Sequence, residues 1–172
     1  MARSVPSMSD QSPGNPISSG LWNTQVSALG RWATRPVIFS YWQNTTAQSL
    51  PNNTATAIQW DTRGADSDTG FASGNPTRFT ATVTGWYEIS GTAVFAANNT
   101  GARTAQFAVN GAAVPYGLSQ GAAVASVRTA LSAQIIYHLA AGDFVELWAT
   151  QTSGAALGTA QGSVLNLSWL SV

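Results

Sequence analysis

The chain has 172 residues, 44% of them hydrophobic and only 8% charged, against about 25% charged in an ordinary soluble domain. Seven arginines balance seven carboxylates to a formal net charge of zero, and there is neither lysine nor cysteine. This excludes a disulfide scaffold, a thiolate metal site, a cationic clamp on nucleic acid and an intrinsically disordered chain. The length suits a single domain, since one domain takes about 100–200 residues. No apolar run approaches the roughly 18–20 residues of a membrane span, so no membrane insertion is expected. Residues 1–16 carry one arginine and no apolar stretch of the signal-peptide kind. A net charge near zero promotes association, which predicts a protein held in a fixed assembly.

The first 35 residues differ from the rest. Residues 1–20 are rich in Ser and Pro without periodicity and read as an extended arm. Trp22, Val26 and Leu29 follow at i, i+4, i+7, which predicts one face of a short helix, with Leu21 at its start. Ser18 or Ser19 is placed to cap it, and Gly30 stands where a C-terminal glycine belongs. Such a short helix needs a surface to dock its Trp22 face, because helix nucleation is costly.

From residue 36 the signals are those of strands. Residues 36–42 and 56–60 are rich in β-branched and aromatic side chains, with Pro51, Asn52 and Asn53 as a turn between them. Residues 64–76 read as a loop, 78–83 as a strand, and 86–97 as a long strand with Tyr87, Ile89, Gly91, Ala93 and Phe95 on one face. Asn98–Gly101 reads as a turn, then Ala105, Phe107 and Val109 alternate along 104–109. Asn110-Gly111 predicts a type I′ hairpin, since both residues tolerate positive φ. Strands are predicted over 126–139, 144–151 and 164–172, with a turn at 141–143. The expected class is all-β, a sandwich domain over 36–172 preceded by an arm and helix over 1–35.

The ordered set Phe79…Gly85-Trp86-Tyr87-Glu88-Ile89, Phe107-Ala108-Val109-Asn110-Gly111, Leu139-Ala140-Ala141-Gly142-Asp143-Phe144-Val145-Glu146-Leu147 and Leu167-Ser168-Trp169-Leu170-Ser171-Val172 resembles the jelly roll of the complement globular-head and tumour necrosis factor superfamily. The branch carried by tailed bacteriophages looks most similar. It also shows Trp-Asn near the N-terminus (Trp22, Asn23), then Ser49, Pro51, Asn52, Asn53 and Thr54, then Phe95, Ala96, Asn98, Thr100, Gly101 and Arg103. The cysteine common in the animal branch is absent. The resemblance implies a homotrimer of jelly rolls with aromatic and aliphatic residues between protomers. It also implies a non-enzymatic protein on the virion surface, assembled in the host cytoplasm. The expected role is a minor tail protein near the tip that contributes to host attachment, bound to other virion proteins through its N-terminal arm. A capsid decoration protein on the head is the alternative, and a carbohydrate-binding module that takes host cell-wall glycan is a further one.

Candidate sites follow from residue chemistry. Asp61, Asp66 and Asp68 cluster on a glycine-containing stretch, and hard oxygen ligands there suit calcium. The plainer reading is turn chemistry, with Arg63 beside one carboxylate. No other cofactor is expected. Gly117-Leu118-Ser119-Gln120-Gly121 matches the nucleophile elbow, but no α/β alternation surrounds it, and the plainer reading is a Gly/Ser loop. The single histidine, His138, has no second imidazole to make a metal pair. Glu88, Glu146 and Asp143 are expected to pair with Arg78, Arg103 or Arg128 rather than to hydrolyse glycosides. Trp42, Trp60, Tyr116 and Trp148 are candidates for stacking on sugar or for an interface between copies. Four N-x-S/T matches, at Asn44, Asn52, Asn98 and Asn166, are a by-product of composition.

Overall fold

A computed structural model describes residues 13, 14, 16, 18–33, 37–43 and 45–172. Most of the predicted arm, and Asn44, therefore lie outside the described residues. The N-terminal helix has three parts: α1 (Ser19–Leu21), a π-helical stretch (Trp22–Ser27) and α2 (Ala28–Ala33). Ser18 caps it, its hydroxyl accepting from the Leu21 N–H at 3.1 Å. The helix does not stop at Gly30, which lies inside α2. The extra turn brings in Trp32, whose ring meets Trp169 edge-on at 4.4 Å. So Trp32 docks the helix on the domain, while Trp22 and Val26 stay exposed. Among the described residues, no helix is long and apolar enough to cross a membrane.

The rest is an all-β jelly roll. One sheet has the order β4 (Thr62–Asp66), β1 (Ile38–Gln43), β12 (Ser163–Ser171), β6 (Gly85–Phe95) and β9 (Thr129–Leu139). The second has β3 (Thr56–Ala57), β10 (Phe144–Gln151), β7 (Ala102–Val109) and β8 (Ala112–Ala122), with β5 (Arg78–Thr80) also paired to β10. A small ladder joins β2 (Ser49–Leu50) to β11 (Leu157–Gly158). All the paired strands are antiparallel.

Alternation explains the layers. On β6, Tyr87, Ile89, Ala93 and Phe95 are buried, and on β10 Val145, Leu147 and Ala149 are buried. These faces meet Phe39, Phe79, Phe107, Leu165 and Leu167 in one continuous core. Burying each large side chain contributes roughly 1.5–3 kcal/mol. Gly91 lies tight against the facing sheet: a Cβ there would stand 3.1 Å from both Phe107 Cε1 and Leu147 Cδ2. The Asn110-Gly111 hairpin forms as expected, with φ of 52° and 76°. Asn110 then ties two turns together, donating to Asp143 Oδ1 at 2.8 Å and accepting from the Phe144 N–H at 2.9 Å.

Several boundaries differ from the sequence reading. The loop expected over 64–76 begins inside β4, because Thr62–Asp66 pairs with β1. Residues 117–121 are not a loop; they lie in β8, paired with β7. Pro115 and Gly117 mask that strand's alternation, and both are tolerated because β8 is an edge. The strand expected from 126 begins at Thr129, since Ser126 adopts φ 64°. The strand expected over 56–60 shrinks to β3, and Trp60 becomes a buried core residue.

Tyr87 is fully buried and donates to the Val83 carbonyl at 2.7 Å. Burial pushes its phenol up to about 12, with Asp68 adding to the rise. An unfolded chain ionises tyrosine near pH 10 (roughly the model-peptide value). The unfolded state therefore loses this proton first, and stability present below about pH 10 is expected to fall as pH rises toward about 12. Urea melts across this range should show that slope, and Tyr87→Phe should flatten it.

Candidate interaction face

The outward face of the first sheet is organised in rows across four strands. Trp42, Val164, Thr92 and Ser132 align in one row, and Ser40, Asn166, Ser90 and Gln134 in the next. Ile38, Ser168, Glu88 and Ile136 form a third, and Trp86 pairs with His138 beyond it. Polar side chains within these rows bond to one another. Ser40 donates to Asn166 Oδ1 at 2.7 Å, Thr92 and Ser132 share a bond of 2.8 Å, and Gln134 donates to Glu88. They floor a shallow depression of about 250 Å³ around Gly91 and Ala133.

Beside it stands an apolar ridge. Tyr116, Ile136 and Trp86 are 68%, 60% and 45% exposed, and Leu118 is exposed on the same edge. With Tyr137 and His138, the first three line an open groove of about 240 Å³ where the edges β8 and β9 meet. Trp86 and His138 meet edge-on at 5.3 Å. Large exposed aromatics next to small residues give a knob and a hollow on one protomer, and interface cores are enriched in such aromatics and poor in charge. Ile136 and Leu118 were not singled out from the sequence. For Ile136 the signal available was the outward alternation of β9; for Leu118 there was none, because Pro115 and Gly117 mask the alternation of β8.

The predicted site residues fall into different places. Tyr116 lies in the groove, whereas Trp60 is in the core with its indole N–H given to the Thr77 carbonyl at 3.0 Å. Trp42 is half-buried over Gly64, and Trp148 is half-buried on the opposite sheet. Trp22 and Val26 are exposed on the helix, and Leu21 and Leu29 are half-buried.

The three aspartates do not converge. Asp61 accepts from the Thr45 N–H at 2.9 Å and the Thr46 N–H at 3.0 Å. Asp66 accepts from the Gly70 N–H at 2.9 Å and the Phe71 N–H at 3.2 Å. Asp68 is buried and takes the Thr82 hydroxyl at 3.4 Å. Among the described residues no group of three or more His, Asp or Glu is placed to hold a metal ion.

The nucleophile-elbow motif is flat strand backbone in β8, not the strand-to-helix turn that would present Ser119. The expected ion pairs give way to neutral partners. Glu146 accepts from Thr77 at 2.6 Å and from the Trp148 indole at 3.0 Å, and Asp143 accepts from Asn110. Arg128 donates to the Gln161 carbonyl at 3.3 Å.

Arg103 is the largest of these departures, because it is fully buried. Its guanidinium donates to the carbonyls of Thr100 and Ala102 at 3.0 Å and to Asn98 Oδ1 at 3.0 Å. It lies 6.0 Å over the Phe95 ring, and its Nε has no partner among the described residues. Burial lowers its pKa from the usual value. The planar fork thus holds the 98–102 turn in place of a counter-ion.

No family model and no curated protein matches this chain. Solved structures do. Murine APRIL at pH 5.0 superposes with a TM-score of 0.61 at 12% identity, covering 79% of this chain and 100% of that one. The globular domain of zebrafish complement 1qA protein gives 0.57 at 16% identity, covering 79% and 98%. Eiger TNF from S. frugiperda gives 0.53 at 13% identity, covering 80% and 94%. At these identities the likeness is one of fold: a jelly roll of the tumour necrosis factor and complement globular-head kind.

Arg103→Lys removes the fork while keeping the charge, and is expected to cost about 2 kcal/mol or more in a urea melt. Amide exchange at residues 98–102 should accelerate in the same variant. For the aspartates, the local bonding predicts no shift of melting temperature at millimolar calcium; a rise would show a site that binds the folded state.

Proposed function

We propose that this protein is a non-enzymatic, homotrimeric structural protein of a tailed-phage virion, a minor tail protein near the tip that contributes to host attachment. The observation that carries the reading is the exposed apolar ridge of Trp86, Tyr116, Leu118 and Ile136 beside the shallow depression around Gly91. Ridge and hollow are different surfaces of one protomer, so contact that joins them between copies is heterologous, the kind from which rings are built. The resemblance to the trimeric superfamily supports a ring of three. The phage assignment rests on the ordered motifs of the sequence, from Trp22-Asn23 to Arg103. A chain of zero net charge also suits a fixed place in a particle on the virion surface, reached by assembly in the host cytoplasm.

The helix supplies the anchor in this reading. It is held to the domain at Trp32, with Trp22 and Val26 turned out toward other virion proteins. Capsid decoration on the head is the second reading. It is favoured by the docking of the helix on the domain at Trp32, which keeps the trimer close to whatever the helix binds.

Light scattering at micromolar concentration should return about three times the 17.9 kDa chain mass. Tyr116→Asp with Ile136→Asp should lower that mass to one chain, with a cooperative melt retained because both side chains are exposed. A wild-type mass of 17.9 kDa would overturn the assembly. Antibody labelling of intact particles, imaged by electron microscopy, decides placement. Label at the tail tip is expected, label on the head supports decoration, and no label on any particle would overturn the virion assignment.

A further inference from the structure

The second sheet carries a built surface of its own. Phe144, Glu146 and Trp148 alternate with the buried residues of β10 and so share its outward face, spanning roughly 13 Å. Each is half-buried, so part of each side chain is open to solvent. Trp148 is held in place: its indole N–H donates to Glu146 Oε2 at 3.0 Å, and the Thr77 hydroxyl donates to Oε1 at 2.6 Å. Its cross-strand neighbours are Ala57 on one side and Gln106 on the other. Arg78 lies directly across the strand pair from Glu146, with its guanidinium 4.3 Å from the Phe144 ring centroid.

The polar groups here have capacity left. Arg78 has no hydrogen-bond acceptor among the described residues, so the donors of its fork are uncommitted. Each Glu146 oxygen accepts one bond and has room for another. An uncommitted donor fork, an acid with spare acceptor sites and a fixed indole therefore share one face. Charge on the face is balanced, one cation to one anion, which disfavours a phosphate or another strong anion as ligand.

We propose that the outward face of this sheet binds a neutral polysaccharide through Trp148, Arg78 and Glu146. The C–H face of a pyranose ring packs on the Trp148 indole. Neighbouring hydroxyls of the sugar accept from Arg78 and donate to Glu146, which matches the dual character of a vicinal diol. Of the ridge proposed to join copies, Trp86 and Ile136 lie on the other sheet, while Leu118 stands on the edge strand β8 in the same cross-strand row as Trp148, two strands away from it. The proposal rests on the attachment reading for the source of the glycan, a host envelope, and not for the chemistry of the site.

The test uses the full chain and a panel of neutral trisaccharides: maltotriose, cellotriose, mannotriose and galactotriose. Binding is followed by the indole N–H resonances in NMR, with affinities from calorimetry. At least one trisaccharide is expected to bind saturably and to shift the Trp148 indole signal. Trp148→Ala and Arg78→Met should each weaken that binding about tenfold or more, where tenfold is 1.4 kcal/mol. Arg78→Met keeps an unbranched apolar stem and loses the guanidinium over the Phe144 ring, so an unchanged melting temperature separates lost binding from lost folding.

No saturable shift with any of the four would overturn the site, as would full affinity in both variants. Binding of host envelope protein in place of sugar, abolished by Trp148→Ala, also overturns it. Light scattering on the same samples separates the two proposals. A trimer that binds no sugar sinks the glycan site alone, and a monomer that binds sugar sinks the assembly alone.

Discussion

The sandwich is held at the distance that Phe107 allows. Its ring is fully buried between the sheets, with Gly91 of β6 against one edge and Gly117 of β8 against its other side. A Cβ at Gly117 would stand 2.9 Å from Phe107 Cδ2, closer than packed carbon atoms tolerate. Gly91 therefore lets a large ring fill the layer without pushing the facing sheet away, and Gly117 gives the ring room beside the neighbouring strand of its own sheet. With that distance set, β6 pairs along its whole length with β9, and every second side chain of both strands is turned outward. The rows on the first sheet and the Phe144–Glu146–Trp148 strip on the second are consequences of one packed layer.

Sparse charge shapes how the polar groups are satisfied. Glu146 and Asp143 take neutral donors, and Arg103 gives its fork to backbone carbonyls inside the protein. Hydrogen bonds that involve one charged partner are stronger than neutral ones, so such groups can be held without a counter-ion. Burying the guanidinium still carries a desolvation cost, which its lowered pKa reports. The return is a fixed 98–102 turn. Asp61 and Asp66 act in the same way, spending their oxygens on the backbone N–H groups of nearby turns. On the outward face of the first sheet, Ser40 bonds to Asn166, Thr92 to Ser132 and Gln134 to Glu88 in the same neutral manner or with one charged partner.

Much of the fold was legible because alternation is a local signal. Tyr87, Ile89, Ala93 and Phe95 lie on the core side as their spacing requires, and Asn110-Gly111 makes the hairpin its φ preferences allow. β8 was not legible, since Pro115 and Gly117 interrupt its pattern and its pairing partner lies across a hairpin with a register shift. The helix was read one turn short, because Gly30 looks like a stop. What carries the helix past it is Trp32 meeting Trp169, a residue far away in sequence. Of the aromatics picked out as ligands or contacts, Tyr116 and Trp148 reached outward faces and Trp60 did not. Aromatic identity alone does not tell which side of a sheet a ring will take.

By itself the sequence determined the class of structure, through period-two alternation, and the kind of surface, through a charge content too low for ionic recognition. Both follow from composition and near neighbours along the chain. Only the tertiary structure decided which residues share a face. Trp86, Tyr116 and Ile136 come from three strands, and Arg78 reaches Glu146 from 68 positions away. Their meeting depends on strand order and register. Those are set by how two sheets pack around Phe107 and its flanking glycines, an interaction no local pattern encodes.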